Sequence, residues 1–409
     1  MTPKKDHTEV AIVGGGAAGI AVASSLLKRE PTLDITVIDP SEMHYYQPGW
    51  TMVGGGIFDL PTTGRPMASV MPKAVSWKKL SVVAFEPDEN RILLSSGEKL
   101  SYDRLVVCPG LTLNWEGVEG LTETLGRNGV TSNYSYKTAS YTWELVQSLK
   151  SGHAVFTQPP MPIKCAGAPQ KAMYLSSNYW LRQGFLKNID VSFFTSTPGL
   201  FGVAAYVPAL MKYVEKYQAA LNFQHTLTKV DGEKQVATFK DEHGDQHEVE
   251  FDMLHVCPPQ RAPDFISESA LADEAGWVDV DQHTLKSQRF DNIWALGDVM
   301  NAPNAKTAAA ARAQAPVVAH NLLQHAGKRD GISHYNGYGS CPLTVERGKI
   351  VLAEFGYGGS LLPSFPKWLI DGQEPSSLAW LLKANVLPAV YWEAMLKGRE
   401  WMVRPEPQH

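Results

Sequence analysis

Three stretches of the sequence predict an α/β fold with two Rossmann-like domains, the first of them discontinuous, followed by a C-terminal amphipathic helical region that associates with membranes. Residues 9–13 and 34–38 read as short buried strands flanking Gly14-x-Gly16-x-x-Gly19 and a helical run to about Arg29, and Asp39 lies 20 residues past the last glycine. Far downstream, residues 290–298 read as a strand ending in Gly-Asp, followed by an alanine-rich helix over 306–314. Beyond Leu361 the chain turns dense in aromatic and aliphatic residues, interrupted by Pro388 and scattered charges. The boundaries expected from these landmarks are 1–120 and 266–330 for the two parts of the first domain, 121–265 for the second, and 331–409 for a C-terminal hairpin and helices.

The first stretch has a specific chemical meaning. The glycines allow a tight turn and let the backbone approach a pyrophosphate at the helix N-terminus. Asp39 is placed to accept hydrogen bonds from a ribose. The glycine pattern alone is weak; both strands and the acid make it specific.

Composition removes several classes. A formal charge of −5 argues against a nucleic-acid binder. Four cysteines, at 108, 165, 257 and 341, are too dispersed for a disulfide framework or a CxxC zinc site, so no metal is expected. No signal-peptide pattern stands before the first strand. Residues 191–211 are uncharged and long enough to span a bilayer, but Pro198, Gly199, Gly202 and Pro208 break them as a helix.

A second dinucleotide site would follow a strand near 153–157. The chain there reads Gln158-Pro-Pro-Met-Pro-Ile-Lys-Cys165, with prolines where a glycine cradle is needed, so a nicotinamide is not the expected electron partner. Cys165 lies between Pro162 and Pro169, beside Lys164, ahead of a helix expected from Gln170 and carrying Lys171. A positive helix end and ammonium groups favour a thiolate, although an isolated cysteine is more often a buried packing residue. Cys108 and Cys257 end strands without basic neighbours and read as packing residues. Cys341 sits in a turn-rich approach to a hairpin over 344–355, 176 residues from Cys165.

The 290–314 block resembles the second FAD motif of the glutathione-reductase-like flavoproteins, and residues 101–110 look like the strand closing their FAD domain. Pro162-Ile-Lys-Cys-Ala-Gly-Ala-Pro-Gln-Lys171, Tyr338-Gly-Ser-Cys-Pro-Leu343, His44-Tyr-Tyr-Gln-Pro48 and the Gly297-Asp298…Lys306-Thr-Ala block resemble sulfide:quinone oxidoreductases of the type II branch, which includes the mitochondrial enzymes. The likeness runs from near Val10 to about Lys397. It implies FAD contacts at Ala17, Ala18, Asp39, Gln47, Val82, Asp298, Lys306, Thr307, Ala308 and Ala309, alongside Gly14, Gly16 and Gly19.

It further implies that Cys165 and Cys341 flank the flavin and shuttle sulfur, with Lys171 as electrostatic support. Hydrosulfide would open a bridge between them and leave a persulfide. The electrons would leave through FAD to a membrane quinone (ubiquinone in the mitochondrial enzymes), and the sulfur would pass to glutathione, sulfite or a growing polysulfide. Residues 131–137 lack the third cysteine of other branches, so FAD is expected to be non-covalent. Phe355, Tyr391 and Trp392 are the quinone candidates. The expected place is peripheral, on the cytoplasmic face of a bacterial inner membrane or the matrix face of a mitochondrial one, and self-association into a homo-oligomer is compatible with it. A flavocytochrome-type sulfide dehydrogenase and a type II NADH:quinone reductase are the alternatives. The first is an exported class; the second needs the nicotinamide site that Pro159–Pro162 oppose.

Overall fold

The computed structural model describes residues 6–403 and 405. Its first sheet runs Ser76–Lys78, Ile35–Ile38, His7–Val13, Lys99–Val107, Arg91–Leu94, Val82–Glu86, with Ile293–Ala295 also pairing in parallel with the end of Lys99–Val107. The central strands are parallel and buried on both faces, which is why they read as continuous apolar runs: Val10, Ala11, Ile12, Leu105, Val106 and Val107 have no exposed surface. Helices Ala17–Arg29 and Ala308–His325 pack against each other on this sheet. The two strands that meet in the middle, His7–Val13 and Lys99–Val107, receive chain from opposite sides. A crevice therefore opens beyond Val13 and Val107, where doubly wound sheets bind their ligands.

The second sheet orders Val130–Thr131, Met253–His255, Gly152–Gln158, Ile189–Thr195 and Ala220–Phe223, all parallel. Helix Ala168–Gln183 is the crossover after Gly152–Gln158. It begins two residues before the Gln170 start expected from sequence, because Pro169 fits the first turn, where no N–H is required. A three-stranded antiparallel sheet, Thr226–Asp231, Val236–Lys240 and Gln246–Glu250, is attached to this part. The hairpin Gly339–Glu346/Lys349–Phe355 packs on helix Ala168–Gln183. Cys341 thus lies within a strand, opposite Ala353, and not in an approach to one.

Residues 377–397 form one helical run in which wider π turns lie on either side of the α turn Leu387–Ala389, which holds Pro388, and a tighter 3₁₀ turn over Met395–Lys397 ends it. The ring of Pro388 removes one helical N–H, and the flanking π turns absorb the irregularity. Tyr391, Trp392, Met395 and Leu396 enter the first core, while Leu378, Leu381 and Val386 stay exposed, as does Trp368. No helix among the described residues is long and apolar enough to cross a membrane.

Candidate active site

At the crevice the glycines divide their work. Gly14 has φ +104°, and a Cβ there would lie 2.5 Å from the Cys108 carbonyl oxygen; one at Gly19 would lie 1.9 Å from the Gly14 oxygen. A Cβ at Gly16 would meet nothing within 4 Å, and helix Ala17–Arg29 starts there with no side chain capping its N–H groups. Open space and orphan donors together make an anion site. Both carboxylate oxygens of Asp39 accept backbone N–H groups, from Gly15 at 2.6 Å and Ser41 at 2.7 Å.

The crevice opens into a cavity of about 880 Å³ lined by Gly16, Ala17, Ala18, Asp39, Gln47, Asp298, Lys306, Thr307, Ala308 and Ala309, and also by Cys165, Lys171 and Tyr391. Buried polar atoms of Trp50 and Asn133, two further lining residues, have no protein partner. Helix Ala308–His325 points its N-terminus at the cavity, and Thr307 caps it by accepting from Ala310 N–H at 3.1 Å. A cavity of this volume, lined both by the open, uncapped helix start at Gly16 and by the N-terminus of helix Ala308–His325, fits FAD.

Lys306 has a second task. Its ammonium donates to the Asp298 and Met300 carbonyls at 2.7 and 2.8 Å and lies over Trp277, while its own carbonyl accepts the Cys165 N–H at 2.8 Å. It therefore ties the cysteine segment to the first domain. Cys165 itself adopts φ +49°, uncommon for a residue with a Cβ. That Lys306 bond and one from Ala168 N–H to the Cys165 carbonyl at 2.7 Å hold it there.

Folding brings the two distant cysteines into contact. Cys341, 3% exposed, and Cys165 are both free thiols. Lys171 Nζ stands 3.3 Å from Cys165 Sγ and 3.9 Å from Cys341 Sγ. Gly167 has to be glycine here, since a Cβ would lie 2.5 Å from Cys341 Sγ. The electrostatics separate the two sulfurs. A hydrogen bond from Cys341, then the Lys171 charge, holds Cys165 well below the ordinary thiol range; the same bond and burial push Cys341 well above it. Burial opposes the charge on Lys171, but the Cys165 and Cys341 sulfurs more than offset it and raise its affinity for the proton. The two sulfurs are thus pulled in opposite directions, Cys165, toward the cavity, to the thiolate and Cys341 to the thiol.

Several expected residues lie elsewhere. Val82 is buried in the first core opposite Leu94 and does not line the cavity. Phe355 also faces away. Leu352 and Glu354 of its strand line the cavity, so strand alternation turns Ala353 and Phe355 to the second core, where Phe355 meets Phe201 edge-on at 5.9 Å. Trp392 is buried under Arg65, 4.3 Å from its ring, whereas its neighbour Tyr391 reaches the cavity. Cys108 and Cys257 are buried thiols, as expected, Cys257 pushed up to about 12 by burial.

Other cavity residues escaped the sequence. Lys383 reaches in from the C-terminal run, donates to the Pro48 carbonyl at 3.2 Å, and is pulled down to about 8 by burial and then by Lys171. A single lysine inside an apolar helical run was its only signal. His44 donates from Nδ1 to the Gly15 carbonyl at 3.2 Å, leaving Nε2 to accept from Tyr391 at 2.6 Å; burial brings it down to about 4.

A family model described as pyridine nucleotide-disulphide oxidoreductase matches residues 8–145. The chain is 39% identical over 396 residues to the Mus musculus protein named sulfide:quinone oxidoreductase, mitochondrial, covering 96% of this chain and 87% of that one. It is 43% identical over 398 residues to the Dictyostelium discoideum protein of the same name, covering 97% and 87%. Among solved structures, the sulfide:quinone oxidoreductase of Aquifex aeolicus superposes with a TM-score of 0.81 over 98% of this chain and 96% of that one. At 20% identity this is a likeness of fold.

Proposed function

This chain belongs to the sulfide:quinone oxidoreductases, FAD-dependent enzymes with sulfide and a quinone as substrates, and from that premise we propose that Cys165, Cys341 and Lys171 carry the sulfur chemistry. The observation that carries the proposal is the meeting of one ammonium with two sulfurs 176 residues apart, at the wall of the cavity that fits FAD.

In the oxidised enzyme the two cysteines are joined. Hydrosulfide attacks the Cys341 sulfur, the S–S bond breaks, and its electron pair leaves on Cys165 as a thiolate, while Cys341 keeps a persulfide. Lys171 makes Cys165 the better leaving group because it stabilises that thiolate. An acceptor nucleophile such as glutathione, sulfite or a polysulfide chain takes the outer sulfur, returning Cys341 to the thiol. The pair then closes again, releasing two electrons and one proton. When bound, FAD supplies the two-electron relay from this pair to the quinone. Asp39 and the uncapped helix start at Gly16 would hold the nucleotide end, and Asp298 and the Thr307–Ala309 turn the flavin end, without a covalent bond.

Tyr391 is retained as a quinone contact, and Lys383 joins it, because both reach the cavity from the C-terminal run. The exposed apolar residues of that run, with Trp368, support peripheral attachment to a membrane, as the mitochondrial names of the relatives suggest. The division at 120, 265 and 330, with 331–409 as the C-terminal hairpin and the membrane- and quinone-associated helices, is part of the same proposal. The test is Cys165→Ser and Cys341→Ser, each with its flavin retained. Sulfide should no longer bleach the flavin, and sulfide-dependent quinone reduction should be lost; activity surviving both changes overturns the assignment.

A further inference from the structure

Away from the cavity, the antiparallel sheet gathers three metal-ligating side chains that the sulfur chemistry does not use. His225 immediately precedes strand Thr226–Asp231, Asp241 immediately follows Val236–Lys240, and His247 is the second residue of Gln246–Glu250. The register pairs Thr226 with Lys240 and Lys240 with Gln246, so the three strands end side by side. One ligand atom from each residue then lies within 4.8 Å of the others, and the two imidazole rings are 5.3 Å apart. The cysteine spacing that excluded a CxxC site could not show this group, because only strand pairing assembles it.

We propose that His225, Asp241 and His247 bind a divalent first-row transition-metal ion, of which Zn²⁺ is the representative. Two imidazoles and one carboxylate are the donor set of three-ligand zinc sites, with a fourth position left to water, whereas Mg²⁺ and Ca²⁺ require oxygen donors. The surrounding bonds prepare these ligands. The Phe223 carbonyl accepts from His225 Nδ1 at 2.6 Å, so that nitrogen carries the proton and Nε2 keeps a free lone pair. Asp241 Oδ1 accepts the N–H groups of His243 and Asp245 at 2.9 and 3.0 Å, which fixes the carboxylate and leaves Oδ2 facing His247 Nε2 at 2.7 Å. An ion replaces the proton between Nε2 and Oδ2, and bond lengths of about 2.0–2.2 Å move the two atoms roughly half an ångström apart. His247, with its side chain 46% exposed, gives the ion its entry.

The experiment is calorimetric titration of the FAD-loaded, chelator-stripped enzyme with Zn²⁺ after its accessible thiols have been alkylated, beside His225→Ala, Asp241→Asn and His247→Gln. Wild type should take up one saturable equivalent, each substitution should weaken it at least about tenfold, and Mg²⁺ should not compete. Flavin absorbance and unchanged quinone reduction in unalkylated samples of the variants show that they are folded. No saturable equivalent in the wild type, or wild-type affinity in all three variants, overturns the proposal and leaves His247 and Asp241 as a hydrogen-bonded pair.

Discussion

Replacing Lys171 with methionine removes the charge that favours the Cys165 thiolate and keeps most of the side-chain volume. Two unit charges 3.3 Å apart attract by about 5 kcal/mol at an effective dielectric of about 20. Half of that is a reasonable loss, because the Cys341 hydrogen bond and Lys383 still favour the thiolate. That loss, about 2–3 kcal/mol, corresponds to roughly a hundredfold in rate. In the reduced enzyme, iodoacetamide should therefore alkylate Cys165 about a hundred times more slowly near neutral pH in Lys171→Met, as followed by peptide mass spectrometry. The rate should recover as the pH is raised, since the thiolate then forms without help, and Lys171→Arg should fall between. Sulfide-dependent flavin bleaching should slow in parallel. Alkylation of Lys171→Met at the wild-type rate and with the wild-type pH profile would refute the electrostatic account of the pair.

Gly167→Ala places a methyl 2.5 Å from both Cys341 Sγ and Leu343 Cδ2; it should cost about 1–3 kcal/mol, seen as a lower thermal midpoint, and reduce turnover by parting the sulfurs. Gly16→Val meets no protein atom near the new Cβ but fills cavity space proposed for the nucleotide, so flavin content after purification should drop while the apoprotein melts as before. Glu400 clamps the C-terminal end to the first domain, accepting from Ser25 at 2.6 Å and from Arg29 and Lys28. Burial raises its carboxyl, but the bonds from Arg29 and Ser25 prevail and hold it below the usual range. The clamp therefore stabilises the fold above the carboxyl's unfolded pKa and weakens as pH falls through the lower folded one. Glu400→Gln should expose the chain beyond Lys397 to trypsin at neutral pH, where wild type resists; an unchanged digestion pattern refutes the clamp.

The nucleotide half of the molecule was legible because its signals are local. Gly14, Gly16 and Gly19 are needed by one turn and one helix start, Asp39 by the next strand end, and the Gly297–Asp298 block by another strand end and helix. Each is a few consecutive residues whose backbone needs are visible without knowing what packs around them. The proline-rich loop before Cys165 was equally plain, as a place where a glycine cradle is absent. The outward reach of side chains was less so. Trp392 and Tyr391 are neighbours on one helical run, and Phe355 follows Glu354 on one strand. Which of each pair meets the cavity depends on a rotation or register that composition does not specify.

What the sequence determined by itself is the two-domain α/β frame, the dinucleotide fingerprint and the special setting of Cys165, because these rest on contacts within a few residues. The resemblance implied that Cys341 pairs with Cys165 across 176 residues with Lys171 in support; only the tertiary structure decided the contact itself, the reach of one Lys171 ammonium to both sulfurs, and the opposite pull on the two thiols. The approach of hairpin Gly339–Glu346/Lys349–Phe355 to helix Ala168–Gln183 sets all three. Charge, burial and hydrogen bonding at the pair are properties of that approach, and they do not exist until the chain has closed upon itself.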